Sequence, residues 1–442
     1  MGRPHSTAYV RFDEDRCTGC GACLRICPTR AIRIRQQKSI RLIDQCIGCG
    51  ACIRACPAGA VSAAGRQPKD VGGDHVAIAL VSPVLYAQFP GVLPGAVLQG
   101  LRQLGFHHTV DMSFFLEMFQ YAAEEFIRRN RRSQAAPWPL ISPACPVVVR
   151  LIAFQFPSLL PHILPVLRPV ALMAREVRER IIPEYQSMGR EVVLYYINPC
   201  PTKSESGPDR GRKRSTHREV AIGINDIYPN LRHQVDKILS TDNMPFTRSR
   251  FEFETCSTGD AALGSMSGGE IANLNIDKSL AVHGLRETIA YLNKIEMGLL
   301  KDMEYIEFRT CQEACLGGVL AVLDKYIAKR HVQKMISVYG LGRRLQRDTI
   351  LRQYDRGRFQ LDKSPDVLGQ LFGPHKPALS LQQAERIENT LKLLKGRDCG
   401  ACGAPDCSSF AEDVVRGEAD LNDCIWVQLR NMGRRPSDEH TT

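Results

Sequence analysis

No segment of this 442-residue chain runs apolar for the about 20 residues that a membrane-spanning helix needs. The most apolar stretches are Val76–Leu101 and Phe156–Ala174. Pro83, Pro90 and Pro94 break the first; Pro157, Pro161, Pro165 and Pro169 break the second. No membrane span is expected. Met1–Val10 lacks the apolar h-region of a secretory signal, so a cytoplasmic protein is expected. Met1-Gly2 with Ser6 fits a myristoylation pattern only as loosely as chance allows. Aromatics are scarce, at 7%, and none interleave with basic residues as nucleic-acid binding calls for. Acidic residues run short too: 47 Asp and Glu against 58 Lys and Arg leave a formal charge of +11. We read that excess as solvated basic surface and expect no nucleic-acid partner.

Cysteine is the residue in excess. The chain holds 17, most of them in tight C-x-x-C clusters rather than scattered pairs. That pattern favours metal or cluster ligation in a reducing compartment over disulfides. Cys17, Cys20, Cys23 and Cys27 recur 29 residues later as Cys46, Cys49, Cys52 and Cys56, each set closed by a proline, Pro28 or Pro57. The repeated C-x2-C-x2-C-x3-C-P is the bacterial-ferredoxin run for two 4Fe-4S clusters, in which the fourth Cys serves the other cluster. One cluster then takes Cys17, Cys20, Cys23 and Cys56, and the other Cys46, Cys49, Cys52 and Cys27. A pair of zinc sites needs only C-x2-C pairs and would not call for the third Cys and the proline. These first 66 residues carry 11 Lys and Arg against 4 Asp and Glu, a surface suited to an acidic redox partner.

Beyond a polar linker at Arg66–Asp74 the pattern changes. Short apolar runs alternate with helical stretches: strands at Val76–Val81, Thr109–Asp111, Leu140–Ile141, Glu191–Ile197, Val220–Ile224, Leu280–Val282 and Tyr305–Phe308. This alternation predicts α/β architecture, with parallel sheets covered by helices and a second lobe from about Glu191. Ser204–Arg218 reads as a charged surface loop, and Pro436–Thr442 as a loose tail. The expected organisation is an α+β bacterial-ferredoxin-like module over 1–66, a two-lobed parallel α/β domain over 75–340, and a small helical Fe–S domain over 380–432.

That last domain carries Cys399, Cys402, Cys407 and, after a short helix, Cys424. It resembles the four-Cys 4Fe-4S domain of several electron-transfer proteins, including the B subunit of ion-pumping electron-transport complexes. The match extends to Gly417-Glu418-Ala419 ahead of Cys424. A structural zinc site is the alternative.

Five cysteines remain: Cys145, Cys200, Cys256, Cys311 and Cys315. Cys145, Cys200 and Cys311 each follow an apolar strand. In open α/β sheets ligands bind beyond the carboxyl ends of strands, so three strands can aim these thiols, with nearby Cys315, at one pocket. Buried structural thiols are the plainer alternative. Proline on both sides of Cys145 and Cys200 marks stiff loops rather than core.

The segments Ser142-Pro143-Ala144-Cys145-Pro146, Asn198-Pro199-Cys200-Pro201-Thr202-Lys203 and Cys311-Gln312-Glu313-Ala314-Cys315-Leu316-Gly317-Gly318 resemble, in order, the three signature segments of FeFe hydrogenases. Phe106, Thr109 and Asp111, and Ser267-Gly268-Gly269, are similar to further stretches of that family. The likeness runs over about His75–Lys329 plus the ferredoxin module. It implies that Cys145, Cys200, Cys311 and Cys315 hold the 4Fe-4S part of an H-cluster. It implies that Cys315 bridges to the two-iron subcluster and that Lys203 hydrogen-bonds a cyanide there, so Lys203 and Cys315 are the implied catalytic residues. Cys256 matches no ligand position and reads as packing.

The departures are as specific. Highly active members have a proton-passing Cys where this chain has Ala144, and Met where it has Asn198 and Arg309. The helix after Asp111 normally bears an acidic pair; ungapped placement puts Ala122-Ala123 there, with Glu124 and Glu125 following. Proton transfer needs groups in hydrogen-bond reach at each hop, and alanine breaks the first. These changes resemble sensory or slow members of the family. The resemblance implies H2 as a ligand, and a redox protein or hydrogenase-complex subunits as partners. The alternative is a non-catalytic electron-transfer or scaffold protein with a lone 4Fe-4S cluster in the central pocket.

Overall fold

The computed structural model describes residues 9–41, 45–63, 71, 73–131, 137–202, 217–240, 250–255, 263–340, 342–361 and 379–432. Lys203, Cys256, the run from Ser204 to Thr216, most of the linker Arg66–Asp74 and the tail Pro436–Thr442 lie outside the described residues. The chain divides into two compact units. One is Val10–Ser62 with Pro374–Thr442; the other is Met1–Tyr9 with Ala63–Gly373.

The first unit joins two segments far apart in the chain. Its strands are β1 (Val10–Phe12), β2 (Ile32–Arg35), β3 (Lys38–Arg41) and β4 (Val61–Ala63), with β1 beside β4 and β2 antiparallel to β3. The β2–β3 turn is two residues, Gln36 and Gln37, both at positive φ, the twist a tight hairpin requires. Gly19 makes room for it, because a Cβ there would lie 2.5 Å from the Gln37 carbonyl oxygen. Helices Leu381–Leu393, Cys407–Val415 and Ile425–Asn431 complete the unit. Ser380 and Gln383 cap the first of these reciprocally.

The second unit is α/β with two parallel sheets. β5 (Val76–Val81), β6 (His108–Asp111), β8 (Val192–Asn198) and β9 (Arg218–Gly223) form one, in the order β6-β5-β8-β9. β7 (Leu140–Ile141), β10 (Ser279–His283) and β11 (Tyr305–Arg309) form the other, in the order β10-β11-β7. All six residues of β5 and all seven of β8 are buried, as befits parallel strands covered on both faces. Their side chains alternate between two cores. Val76, Ile78, Leu80, Val192, Leu194 and Tyr196 join one, while Ala77, Ala79, Val81, Val193, Tyr195 and Ile197 join the other.

Topology corrects the expected lobe boundary at Glu191. Val76 pairs with Val192 and Val81 with Ile197, so β8 belongs to the first sheet. β7, earlier in the chain, pairs with β11 in the second. Apolar runs mark strands, but sheet membership is set by long-range hydrogen bonding that local pattern does not encode. Strand order reverses between β5 and β8, which opens a crevice at their carboxyl ends.

Candidate metal centres

In the first unit the two Cys-rich repeats adopt the same backbone. Gly21 and Gly50, at φ 76 and 71, precede the short helices Ala22–Ile26 and Ala51–Ala55. The Ala31 N–H donates to Cys27 Sγ at 3.2 Å, and the Ala60 N–H to Cys56 Sγ at 3.3 Å. The Ser39 N–H lies 3.4 Å from Cys17 Sγ, and the Ser39 hydroxyl 3.3 Å from Cys23 Sγ. Against burial, the N–H groups of Gly19 and Ser39, the Ser39 hydroxyl and Lys38 hold the Cys17 thiol below its ordinary value. Burial pushes the Cys49 thiol up, and the sulfurs of Cys27, Cys52 and Cys46 add to the rise. Cys52 is pushed up to about 12 by burial, then by Cys46, Cys27 and Cys23. Cys27, from the first repeat, thus faces thiols of the second. Thiols that oppose one another's ionisation become thiolates when a cation sits among them, so this donor set suits an iron–sulfur cluster.

Cys399, Cys402, Cys407 and Cys424 line one cavity of about 350 Å³, with Leu394, Phe410 and Trp426 in its wall. The helices place them: Cys407 opens Cys407–Val415 behind the cap Asp406, and Cys424 caps Ile425–Asn431. Asp398 Oδ1 accepts from the Cys407 N–H at 2.7 Å. Burial raises the Cys402 thiol, with Cys424 and Cys399 adding to it.

The two Cys-rich parts of this unit interlock. Asp413 accepts from Arg33 Nε at 2.5 Å and Nη2 at 3.0 Å, and from Arg35 Nη2 at 2.7 Å. The Ile34 N–H donates to the Gly403 carbonyl at 2.8 Å. Gly403 has φ +77, and a Cβ would stand 2.0 Å from Ile34 O, so this approach requires glycine. Arg30 pairs with Asp406 at 2.7 Å. Arginines expected to form an outward basic surface are therefore spent partly inside the unit.

In the second unit, Cys145 follows β7 and caps the helix Pro146–Gln155. Cys200 follows β8, and Cys311 follows β11. Cys315 lies in the turn Ala314–Gly317. That turn abuts the Cys200 segment: a Cβ on Gly318 would meet Pro199 O at 2.4 Å, and the Leu320 N–H donates to Pro199 O at 2.9 Å. The carboxyl ends of β5, β6, β7 and β11 open on one cleft of about 480 Å³, where Ser82, Met112, Ala144, Arg309 and Cys315 meet. Ala144, not a titratable side chain, lines it. Ala122 and Ala123 are fully buried. Glu124 pairs with Arg343, and Glu125 with Arg128 and Arg129. Those arginines hold Glu125 down to about 2, so these acids are committed to ion pairs. Asp111 caps the helix Met112–Asn130, accepting from the Ser113 N–H at 2.9 Å.

One group gave no clear sign of itself in the sequence. Arg309 Nη2 donates to Glu270 Oε2 at 2.6 Å, and the Tyr305 hydroxyl donates to Glu270 Oε1 at 2.6 Å. Glu307 accepts from the Glu270 N–H at 3.1 Å and lies 3.6 Å from Arg309 Nε. Burial, opposed by Arg309 and reinforced by Glu270, pushes Glu307 up to about 7. A faint signal was present: Tyr305, Glu307 and Arg309 alternate along a strand whose other positions are Ile306 and Phe308.

Thiol-rich sites of this kind suit an iron–sulfur protein, and part of the chain is similar to the FeFe hydrogenases. Residues 75–243 match the family described as iron only hydrogenase large subunit, C-terminal domain; the match stops before Cys311 and Cys315. Residues 9–69 match the 4Fe-4S dicluster domain, and 394–425 an Fe-S cluster family. The B subunit of the ion-translocating oxidoreductase complex of Rhodobacter capsulatus is 50% identical over 57 residues, 13% of this chain and 30% of that protein. Its counterpart from Thiobacillus denitrificans is 44% identical over 41 residues, 9% of this chain and 20% of that protein. The chain thus spans a third or less of these curated relatives. Among solved structures, an FeFe-hydrogenase HydA1 from Chlamydomonas reinhardtii aligns over 68% of this chain and 94% of that one, at TM-score 0.46 and 16% identity. HydA(deltaEFG), described as revealing stepwise H-cluster assembly, aligns over 69% and 94%, at TM-score 0.45 and 17% identity. No helix among the described residues is long and apolar enough to cross a membrane.

Proposed function

We propose that this protein is an FeFe-hydrogenase-type oxidoreductase that binds or slowly turns over H2. It relays electrons through two N-terminal 4Fe-4S clusters and one C-terminal 4Fe-4S cluster. It acts as a hydrogen or redox sensor, or as a subunit of a hydrogenase complex, in the cytoplasm. The observation that carries the reading is the cleft where Ala144, Arg309 and Cys315 meet at strand ends from both sheets. Cys145, Cys200, Cys311 and Cys315 would hold the 4Fe-4S part of an H-cluster, with Lys203 as hydrogen-bond donor to its two-iron part. That group, when bound, supplies the site at which H2 is split or formed. The chain's own residues then set the rate of proton delivery. Ala144 carries no proton and Glu125 is locked to two arginines, so turnover is slow.

The Rhodobacter and Thiobacillus relatives belong, by name, to an oxidoreductase complex, and the C-terminal four-Cys site suits a role in electron transfer here. A second reading, a lone 4Fe-4S cluster in a non-catalytic electron carrier or scaffold, is favoured by the same Ala144 and by Asn198. Infrared spectroscopy of anaerobically matured protein separates the two. Bands of iron-bound CO and cyanide are expected; full cluster iron without them would rule out the first reading. Hydrogen/deuterium exchange then tests the rate, and a fast enzyme would contradict the broken relay.

A further inference from the structure

A guanidinium buried in an apolar cleft needs acceptors for all its N–H groups. Arg309 is 4% exposed at its side chain. Glu270 takes Nη2, but Nε and Nη1 have no hydrogen-bond partner among the described residues. Glu307 offers charge at 3.6 Å, beyond hydrogen-bond reach of Nε. Across the same cleft, Ser82 Oγ at the end of β5 is also buried without a partner among the described residues. Cys315 lines the same cleft as Arg309. The remaining wall is mostly apolar, with Val84, Met112, Leu116 and Val170 prominent. Two residues with orphaned donors lining one apolar hollow with Cys315 describe a seat for a small group that is anionic, accepts hydrogen bonds and has no need of water.

We propose that Arg309 and Ser82 are cofactor-binding donors in this cleft, aimed at an anionic diatomic group held next to Cys315. Resting on the proposed function, that group is a cyanide of the two-iron subcluster, and Arg309 is a cation toward it additional to Lys203. Glu270 and Tyr305 position the guanidinium from behind. A fixed positive charge at this point favours the more reduced, more negative state of whatever it touches, and so raises its midpoint potential. The cationic donor also occupies a place where a proton carrier is absent: it polarises but does not relay, because arginine stays protonated.

The test uses the full chain, matured anaerobically, and reads infrared bands and midpoint potential rather than turnover. Arg309→Met should shift the cyanide bands and lower the potential of the loaded site, and Arg309→Lys should recover part of both. Because Arg309→Met leaves Glu270 buried and without its cation, the Arg309→Met/Glu270→Gln pair is the companion that keeps the cavity neutral. Ser82→Ala leaves the ion cluster intact and should give a smaller shift in the same bands. Bands present but unmoved in all these variants would overturn the inference and leave the proposed function standing. Full cluster iron with no diatomic bands in the unaltered protein would overturn both.

Discussion

The two units solve opposite electrostatic problems. In the unit of Val10–Ser62 and Pro374–Thr442, thiols crowd one another and carboxylates neutralise arginines; Asp413 pairs with both Arg33 and Arg35. In the α/β unit, thiols follow three separate strands, with Cys311 and Cys315 both after β11, and the cleft wall carries Arg309 with its buried partners Glu270 and Glu307. In the first, ligand spacing is local and the fold gathers around it. In the second, the fold comes first and brings distant thiol segments to strand ends. In the first arrangement the proposed cluster ligation would be a property of short peptides; in the second it would be a property of sheet topology.

Four experiments press on that contrast, from the largest expected effect to the smallest. Asp413→Ala leaves Arg33, 3% exposed, buried without its carboxylate, which should cost about 3–5 kcal/mol. Denaturant unfolding of the cluster-loaded protein reads it. A loss below about 1 kcal/mol would mean the thiol clusters hold that unit together without the ion pair.

Glu307 gives the α/β unit a pH signature. Its folded value is raised from 4.5 to about 7, so the native state keeps a proton that the unfolded state releases. Its contribution is present below about 4.5 and is lost as pH rises through about 7. The change is about 3 kcal/mol by linkage. Glu307→Gln should flatten that part of the stability–pH curve, and an unchanged curve would refute the assignment.

Ala144→Cys restores a titratable group to the cleft wall. If proton delivery limits the proposed chemistry, hydrogen/deuterium exchange should rise about 100-fold, the lower range for a positioned acid–base group. No rise would place the limit elsewhere, for instance at Arg309.

The smallest effect is expected from Arg30→Ala. Its partner Asp406 is largely covered, but Arg30 is 58% exposed, so the loss should stay below about 1 kcal/mol. Chemical denaturation beside the Asp413 variant shows whether exposure is what separates the two pairs.

What sequence alone determined about this protein is what short spacing controls. C-x2-C-x2-C-x3-C-P, its repeat after 29 residues, and the glycines at Gly21 and Gly50 fix thiol geometry within a few residues, because helix and turn dimensions are local. The parallel α/β class was legible for a similar reason, since Val76–Val81 and Val192–Asn198 are apolar almost throughout and strands buried on both faces must be. Tertiary structure decided the rest. That β8 joins β5 and β7 joins β11 depends on which strands meet across more than a hundred residues, and no window of sequence records it. That Asp413 turns onto Arg33 is a contact 380 residues apart. Arg309 is the clearest case: as a sequence feature it was a missing methionine, while folded it is a buried cation with unpaired donors, because the strand that carries it ends at the cleft.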